Sequence, residues 1–340
     1  MKEVRMQKDW LKGAAVETIY LGGGTPSILN ADELSRLFDT IIETFEVSEL
    51  KECTLEANPD DLSISYLRAL RHTPVNRLSV GIQSFCEEDL RYMNRAHTAQ
   101  QSDYALKAAQ DAGFTNLSID LIYGTPGLSN ESWKENNYKM AQLGIPHFSS
   151  YALTVEEGTA LHHAIHKKNA TPVDAAQSAE QALILIKEAE SLGYEQYEIS
   201  NFAKPGCYAL HNTSYWKGTP YLGLGPSAHS FDGKNIRQWN VANNALYIQS
   251  INKGTIPYEK EILSDTQRLN EYIMTSLRTM WGLDLSHVEK VWGRDYSKKI
   301  QKDAQPYFES GSLKETDSKL ILTSQGKLFA DGIASTLFFS

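Results

Sequence analysis

Hydrophobic and polar positions follow two alternating rhythms along residues 1–200. A short β-rich run, VETIYL at 16–21, ends in glycines. It is followed by a stretch in which Leu34, Leu37, Phe38, Ile41, Ile42 and Phe45 fall on one helical face. Asn30 with Glu33 has the spacing of a helix N-terminal cap. The same unit recurs as CTLEAN then 62–71, RLSVGIQ then helical segments through Ala112, LSIDLIYG then 133–143, and HFSSYAL then 174–192. Strand–helix units in series predict a parallel sheet with helices outside it, either an open sheet or a barrel. Polar residues recur at the C-terminal ends of these strands, and no unit dominates with a G-x-G-x-x-G. Both features favour a barrel whose rim is built by several loops.

From Asn201 the rhythm breaks. NFAKPGCYALHNTSYWKGTPYLGLGPSAHSFDG is rich in Gly, Pro, Asn and aromatics and reads as loop chemistry. Helices are predicted at 265–280, 285–291 and 297–308, then a hairpin in LKETDSKLILT and a last helix over 324–336. That order resembles a winged-helix module. The predicted organisation is an incomplete α/β barrel at 1–200, a connecting region at 201–258 and a small helical domain at 259–340.

Composition narrows the function classes. With 340 residues, 41% hydrophobic and 22% charged, the chain can bury a large core. A net charge of −9 gives no overall field that would gather nucleic acid or anionic lipid. Residues 259–340 carry 11 Lys plus Arg against 12 Asp plus Glu, so the winged module lacks a basic DNA-binding face. No apolar run approaches the roughly 20 residues of a membrane span, and MKEVRMQKDW lacks the apolar core of a signal peptide, so the cytoplasm is the expected compartment. Cys53, Cys86 and Cys207 lie far apart with no C-x-x-C and read as reduced thiols. His162, His163 and His166 have no carboxylate or cysteine partner at ligand spacing and read as a solvated helix face.

The chemistry lies in short motifs. Gly22-Gly23-Gly24-Thr25-Pro26 forms a turn whose missing side chains let backbone approach a ligand, with N–H groups offered at the head of a helix. LEANPD, GIQSF, MNRAH and SIDLIYGTPG place Glu56, Gln83, Arg95 and Asp120 at or just beyond strand ends. Carboxylates, an amide and a guanidinium converging on one rim suit a small zwitterionic ligand. Each of these residues alone also fits a surface carboxylate, a capped turn or a salt bridge.

The strings IYLGGGTPSIL, LEANPDD, RLSVGIQSF, MNRAH, SIDLIYGTPG and YALTVEEGT, in order along the chain, resemble radical S-adenosylmethionine proteins related to the oxygen-independent coproporphyrinogen III oxidase. The resemblance implies a partial (β/α)6 barrel with a C-terminal domain, a [4Fe-4S] cluster and S-adenosylmethionine at the barrel mouth. On the matching positions, Gly23, Gly24 and Thr25 would meet the methionine part and Glu56 the same molecule. Gln83, Arg95, Asp120 and Ala152 match positions that the oxidase uses for a second S-adenosylmethionine.

One departure is as informative as the match. The family's Cys-x-x-x-Cys-x-x-Cys is absent, and the three cysteines present lack the spacing to replace it. Residues 1–11 resemble the back half of the helix after that loop. The expectation is therefore a barrel lacking its first strand, from a start codon assigned late or, alternatively, in a cluster-free relative. In either case, 16–21 becomes a sheet edge.

HNTSYW resembles the H-N-x-x-Y-W motif of the family's heme-chaperone branch, which makes His211, Asn212, Tyr215 and Trp216 heme candidates, and LGLGPSAHS adds His229. The implied partners are heme or a porphyrinogen and a heme acceptor protein. The alternatives are the oxidase itself and a cluster-free binding protein, so the resemblance leaves catalysis open. A structural loop with ordinary Tyr and Trp packing is the competing reading of HNTSYW.

Overall fold

Along four successive strands the side chains alternate between an apolar and a polar set, and this two-sidedness organises the main sheet. Cys53 and Leu55, then Leu78, Val80 and Ile82, then Leu117, Ile119 and Leu121, then Phe148 form one set, all essentially buried. Thr54 and Glu56, Arg77 and Ser79, Ser118 and Asp120, His147 and Ser149 form the other. The apolar set belongs with the buried helix residues Leu67, Leu106, Trp133, Met140 and Leu185. The polar set is therefore the inner lining of the sheet.

The computed structural model describes residues 1–340 and divides into two units, Tyr20–Ala31 with Glu52–Ala209, and Met1–Ile19 with Asp32–Lys51 and Leu210–Ser340. The main sheet consists of β1 (Thr18–Leu21), whose first two residues belong to the second unit, and, in the first unit, β2 (Glu52–Ala57), β3 (Arg77–Gln83), β4 (Asn116–Tyr123), β5 (His147–Ala152), β6 (Glu195–Glu198) and β7 (Asn201–Ala203). The order is β1-β2-β3-β4-β5-β7-β6. β2 to β5 are parallel, and β7 runs antiparallel to both β5 and β6. This is the expected α/β partial barrel, with β1 at one edge as predicted. β7 lies at the start of the stretch that reads as loop chemistry, and β6 in the residues just before it that carry no sequence assignment, because strands of four and three residues are too short to show a period.

Helix caps match polar residues in the sequence. Ser63, Thr98, Ser129 and Asp174 each accept a backbone N–H at a helix start, Thr98 within a full capping box. Gln181 ties the helix Ala175–Ser191 to the loop after β4, accepting from Gly124 N at 2.7 Å and donating to Leu128 O at 2.8 Å.

In the second unit, β8 (His229–Phe231), β9 (Ile236–Asn240) and β10 (Tyr258–Ile262) make an antiparallel sheet. Buried Glu3, on the helix Lys2–Met6, accepts from Gly225 N, Asn240 Nδ2 and Tyr247 Oη. The segment expected to be connecting loop is thus built on regular structure. HNTSYW in particular is the helix Leu210–Trp216 and not a loop. The helices Asp265–Leu277, Leu285–Val291 and Arg294–Glu309 precede β12 (Leu313–Thr316) and β13 (Lys319–Leu322), with β11 (Leu283–Asp284) completing a small sheet, as the winged pattern predicted. The last helix is split into Ser324–Lys327 and Ala330–Thr336. No helix is long and apolar enough to cross a membrane.

Candidate functional site: a polar cleft and a histidine–tyrosine helix

The inner lining opens into a cleft of about 220 Å³ bounded by Gly24, Thr25, Glu56, Gln83, Arg95 and Asp120, with Asn58, Ser79 and Gly81 among its other walls. Six residues singled out by the motifs therefore meet in one place. Gly23 joins them through its backbone, because its N–H donates to Glu56 Oε2 at 3.1 Å. The other oxygen, Oε1, accepts from Tyr20 Oη at 2.7 Å. Glu56 thus pins the glycine turn, and burial together with this carboxylate pushes the Tyr20 hydroxyl upward. Gly22 is required there, since a Cβ would stand 2.5 Å from the Tyr20 ring and 3.0 Å from Glu56 Oε1. The turn leads into a three-residue 3₁₀ turn, Pro26–Ile28, and the long helix begins only at Ala31. The expected helix head is displaced, and one of its N–H groups is used by Glu56.

Gln83 reaches the cleft through strained backbone. Its φ is +66°, Ser84 N donates to Ile82 O across it, and the β3–β4 ladder slips between Val80 and Gln83. Gly81 leaves room for it: a Cβ would stand 2.9 Å from Gln83 Nε2 and 3.5 Å from Arg95 Nη2. Arg95 Nη2 donates to Asn58 Oδ1 at 3.1 Å, while its Nε is buried without a partner. Burial pushes the Asp120 carboxyl up to about 6; the charge of Glu56 adds to this, while the Ser149 hydrogen bond, Arg77 and Arg95 oppose it. Two carboxyls, an amide and a guanidinium with an unused donor match a zwitterion carrying hydroxyls, so these residues fit S-adenosylmethionine.

They do not fit a [4Fe-4S] cluster. No three His, Cys, Asp or Glu side chains are grouped to hold a metal. Burial, with the neighbouring Glu52, pushes the Cys53 thiol up to about 12, far from the thiolate a cluster needs.

Ala152 ends β5 paired with Tyr123, on the strand parity opposite to Ser149 and Tyr151, and does not line the cleft. Tyr20, Asn58 and Ser149 touch the site without having been singled out; Asn58 lies within the LEANPD motif itself.

The second unit holds the other candidates. His211 and Tyr215, one helical turn apart, share a face of Leu210–Trp216. His211 Nδ1 lies 2.8 Å from Thr18 Oγ1, and Nε2 lies 2.8 Å from Tyr215 Oη. The Tyr215 ring stands edge-on to Tyr221 at 4.7 Å, and Tyr221 is followed by Phe231 at 6.5 Å, giving an aromatic ladder. Half-buried Asn212 and Trp216 lie on the neighbouring stripe, and the Arg278 guanidinium sits 5.7 Å over the Trp216 ring. His229 is exposed, its ring stacked on Trp239 at 5.9 Å.

Comparison with known proteins gives the family and the fold. Residues 1–136 match the radical SAM superfamily and residues 263–329 the HemN C-terminal domain. Among solved structures, the coproporphyrinogen III oxidase HemN of Escherichia coli, described as a radical SAM enzyme, superposes with a TM-score of 0.83 at 24% identity. The match covers 99% of this chain and 81% of that one. The heme chaperone HemW of Bacillus subtilis is 32% identical, over 94% of this chain and 84% of its own length. The Mycobacterium tuberculosis protein of the same name is 31% identical over 98% and 84%. The chain belongs to the HemW heme-chaperone family of radical SAM proteins.

Proposed function

We propose that this chain binds heme through His211 on the helix Leu210–Trp216 and passes it to an acceptor protein, and that the polar cleft holds S-adenosylmethionine. The observation that carries the heme reading is the two-sided bonding of His211. In the tautomer with the proton on Nδ1, Thr18 Oγ1 accepts that proton and fixes the ring, while Nε2 carries the lone pair. Tyr215 Oη donates to it until iron takes its place. Tyr215 and Tyr221 offer ring faces and edges to a macrocycle. Asn212, Trp216 and exposed His229 are further heme contacts in this reading.

In the cleft, Arg95 would take the ligand's carboxylate, Glu56 and Asp120 its ammonium and hydroxyls, and Gly23, Gly24, Thr25 and Gln83 would line the approach. Bound there, S-adenosylmethionine brings a sulfonium-bearing zwitterion; these residues bind and orient it.

Hemin titration tests the first part. A Soret shift is expected in the wild-type chain, and His211→Ala should weaken binding by tenfold or more, about 1.4 kcal/mol. An unchanged titration in that variant would remove His211 as the ligand.

A further inference from the structure

The turn that carries Gln83 is anchored on both sides by buried side chains from outside its own strand. At Gln83 φ is +66°, and Ser84 N donates to Ile82 O across it at 2.8 Å, the bond of a γ-turn in its rare, strained form. On the near side, His97 Nε2 lies 3.0 Å from the same Ile82 oxygen. On the far side, Asn136, in the helix Asn130–Gln142, accepts from Phe85 N at 2.9 Å and donates through Nδ2 to Ser84 Oγ at 3.2 Å. Ser84 Oγ also accepts from Cys86 N at 3.0 Å and donates to Asp89 Oδ2 at 2.6 Å. Ser84, Asp89, His97 and Asn136 are 0%, 2%, 3% and 3% exposed.

Each of these bonds has a fixed direction. Ile82 O can only accept, so Nε2 of His97 carries the ring proton, and burial pushes this imidazole below its ordinary value, toward the neutral form. Phe85 N can only donate, which turns the Asn136 carbonyl to it and the Asn136 NH₂ to Ser84. With two donors on its lone pairs, Ser84 gives its one proton to Asp89. Capping of the helix Glu87–Tyr92 would account for Ser84 and Asp89. It does not account for His97 and Asn136, which reach the turn from 15 and about 51 residues along the chain. His97 also follows Arg95 by two residues, so its bond ties the segment bearing the guanidinium to the residue before Gln83. A glutamine keeps a left-handed backbone only where its surroundings enforce it.

We propose that His97 and Asn136 are positioning residues that clamp the Gln83 turn from its two sides and so aim the Gln83 amide into the cleft. The proposal rests on the reading of the cleft as a site for S-adenosylmethionine. Gln83 makes the ligand contact, and His97 and Asn136 act only through it. With either clamp removed, residue 83 relaxes to negative φ and its amide leaves the cleft lining.

Calorimetry of S-adenosylmethionine binding reads the first effect. Gln83→Ala and Asn136→Ala should each weaken binding about tenfold, and the double variant no further, because the two residues act as one unit. Losses that multiply to about a hundredfold would overturn the proposal. His97→Leu should also lose about tenfold, whereas His97→Gln, which offers a donor where Nε2 stood, should bind within about twofold of the wild type. A His97→Gln chain as weak as His97→Leu would overturn it too, and this pair decides the matter if Asn136→Ala does not fold. Thermal unfolding without ligand reads the strain itself. Gln83→Gly removes the cost of positive φ and should raise the unfolding midpoint by about 2 °C or more. In Asn136→Ala or His97→Leu the same substitution should give no gain, since the turn has already relaxed. No gain in the wild type, or an equal gain in every background, refutes the clamp. If the wild-type chain binds no S-adenosylmethionine, the ligand reading fails by itself, and this unfolding comparison judges the clamp alone.

Discussion

Tyr215 Oη lies 2.8 Å from Nε2 of His211, and the two rings stand edge to face at 5.0 Å. The hydroxyl thus occupies the position that an iron ion would need. A neutral hydrogen bond of this kind contributes about 1 kcal/mol net. Tyr215→Phe removes the competitor and keeps the ring, so hemin should bind about fivefold more tightly. Equal or weaker hemin binding in Tyr215→Phe, measured by the Soret titration, would mean that Nε2 is not the ligating atom.

Asp120 gives a pH dependence of stability whose sign follows from its environment. Burial raises its carboxyl from 3.8 to about 6 in the folded chain. The stability that goes with the bound proton is complete below about 4 and is lost as pH rises through about 6. The loss amounts to about 3 kcal/mol for a shift of this size. Asp120→Asn should therefore raise the unfolding free energy at pH 8 by up to that amount and change it little at pH 4. Urea unfolding at the two pH values measures the difference; an equal effect at both would show that the carboxylate is not strained.

The cleft was largely legible because its residues sit at strand ends next to recognisable turns. RLSVGIQ gives the bounds of β3 to the residue, and Glu56, Gln83 and Asp120 follow from where their strands stop. What could not be read is non-local. Ser149 meets Asn201 only because β7 inserts antiparallel between β5 and β6, and nothing local to YEQYEISNFA announces that pairing. Ala152 falls on the strand parity opposite to Tyr151 at the end of β5 and lies away from the cleft lining. HNTSYW reads as loop because it is short and flanked by Gly and Pro, although His and Tyr four residues apart are the spacing of a shared helical face.

Arg77 and Glu52 form an ion pair at 3.8 Å with both side chains 2% exposed, and Arg77 Nε and Nη2 have no hydrogen-bond partner in the chain. Breaking such a pair from one side leaves a buried charge and costs about 3–5 kcal/mol. Arg77→Met should destabilise by that amount, whereas Arg77→Met with Glu52→Leu should recover most of it. Chemical denaturation of the two variants decides; a double variant as unstable as the single one would mean that the pair is needed for more than mutual neutralisation.

Gly81 offers the sharpest test of the cleft as a binding site. It sits on β3 two residues before Gln83, and an added Cβ would stand 2.9 Å from the Gln83 amide nitrogen and 3.5 Å from Arg95 Nη2. Both neighbours are ends of flexible side chains, so the fold can accommodate the methyl by turning them aside, and Gly81→Ala should cost no more than about 1 kcal/mol of stability. Turning them aside removes the amide and the guanidinium from the positions in which they face a ligand. Misplacing two preorganised polar groups should weaken S-adenosylmethionine binding by about tenfold or more, 1.4 kcal/mol. Thermal unfolding and calorimetry on the same preparation separate the two effects. A stably folded Gly81→Ala chain that binds S-adenosylmethionine as tightly as the wild type would place the ligand outside the space between Gln83, Arg95 and Asp120.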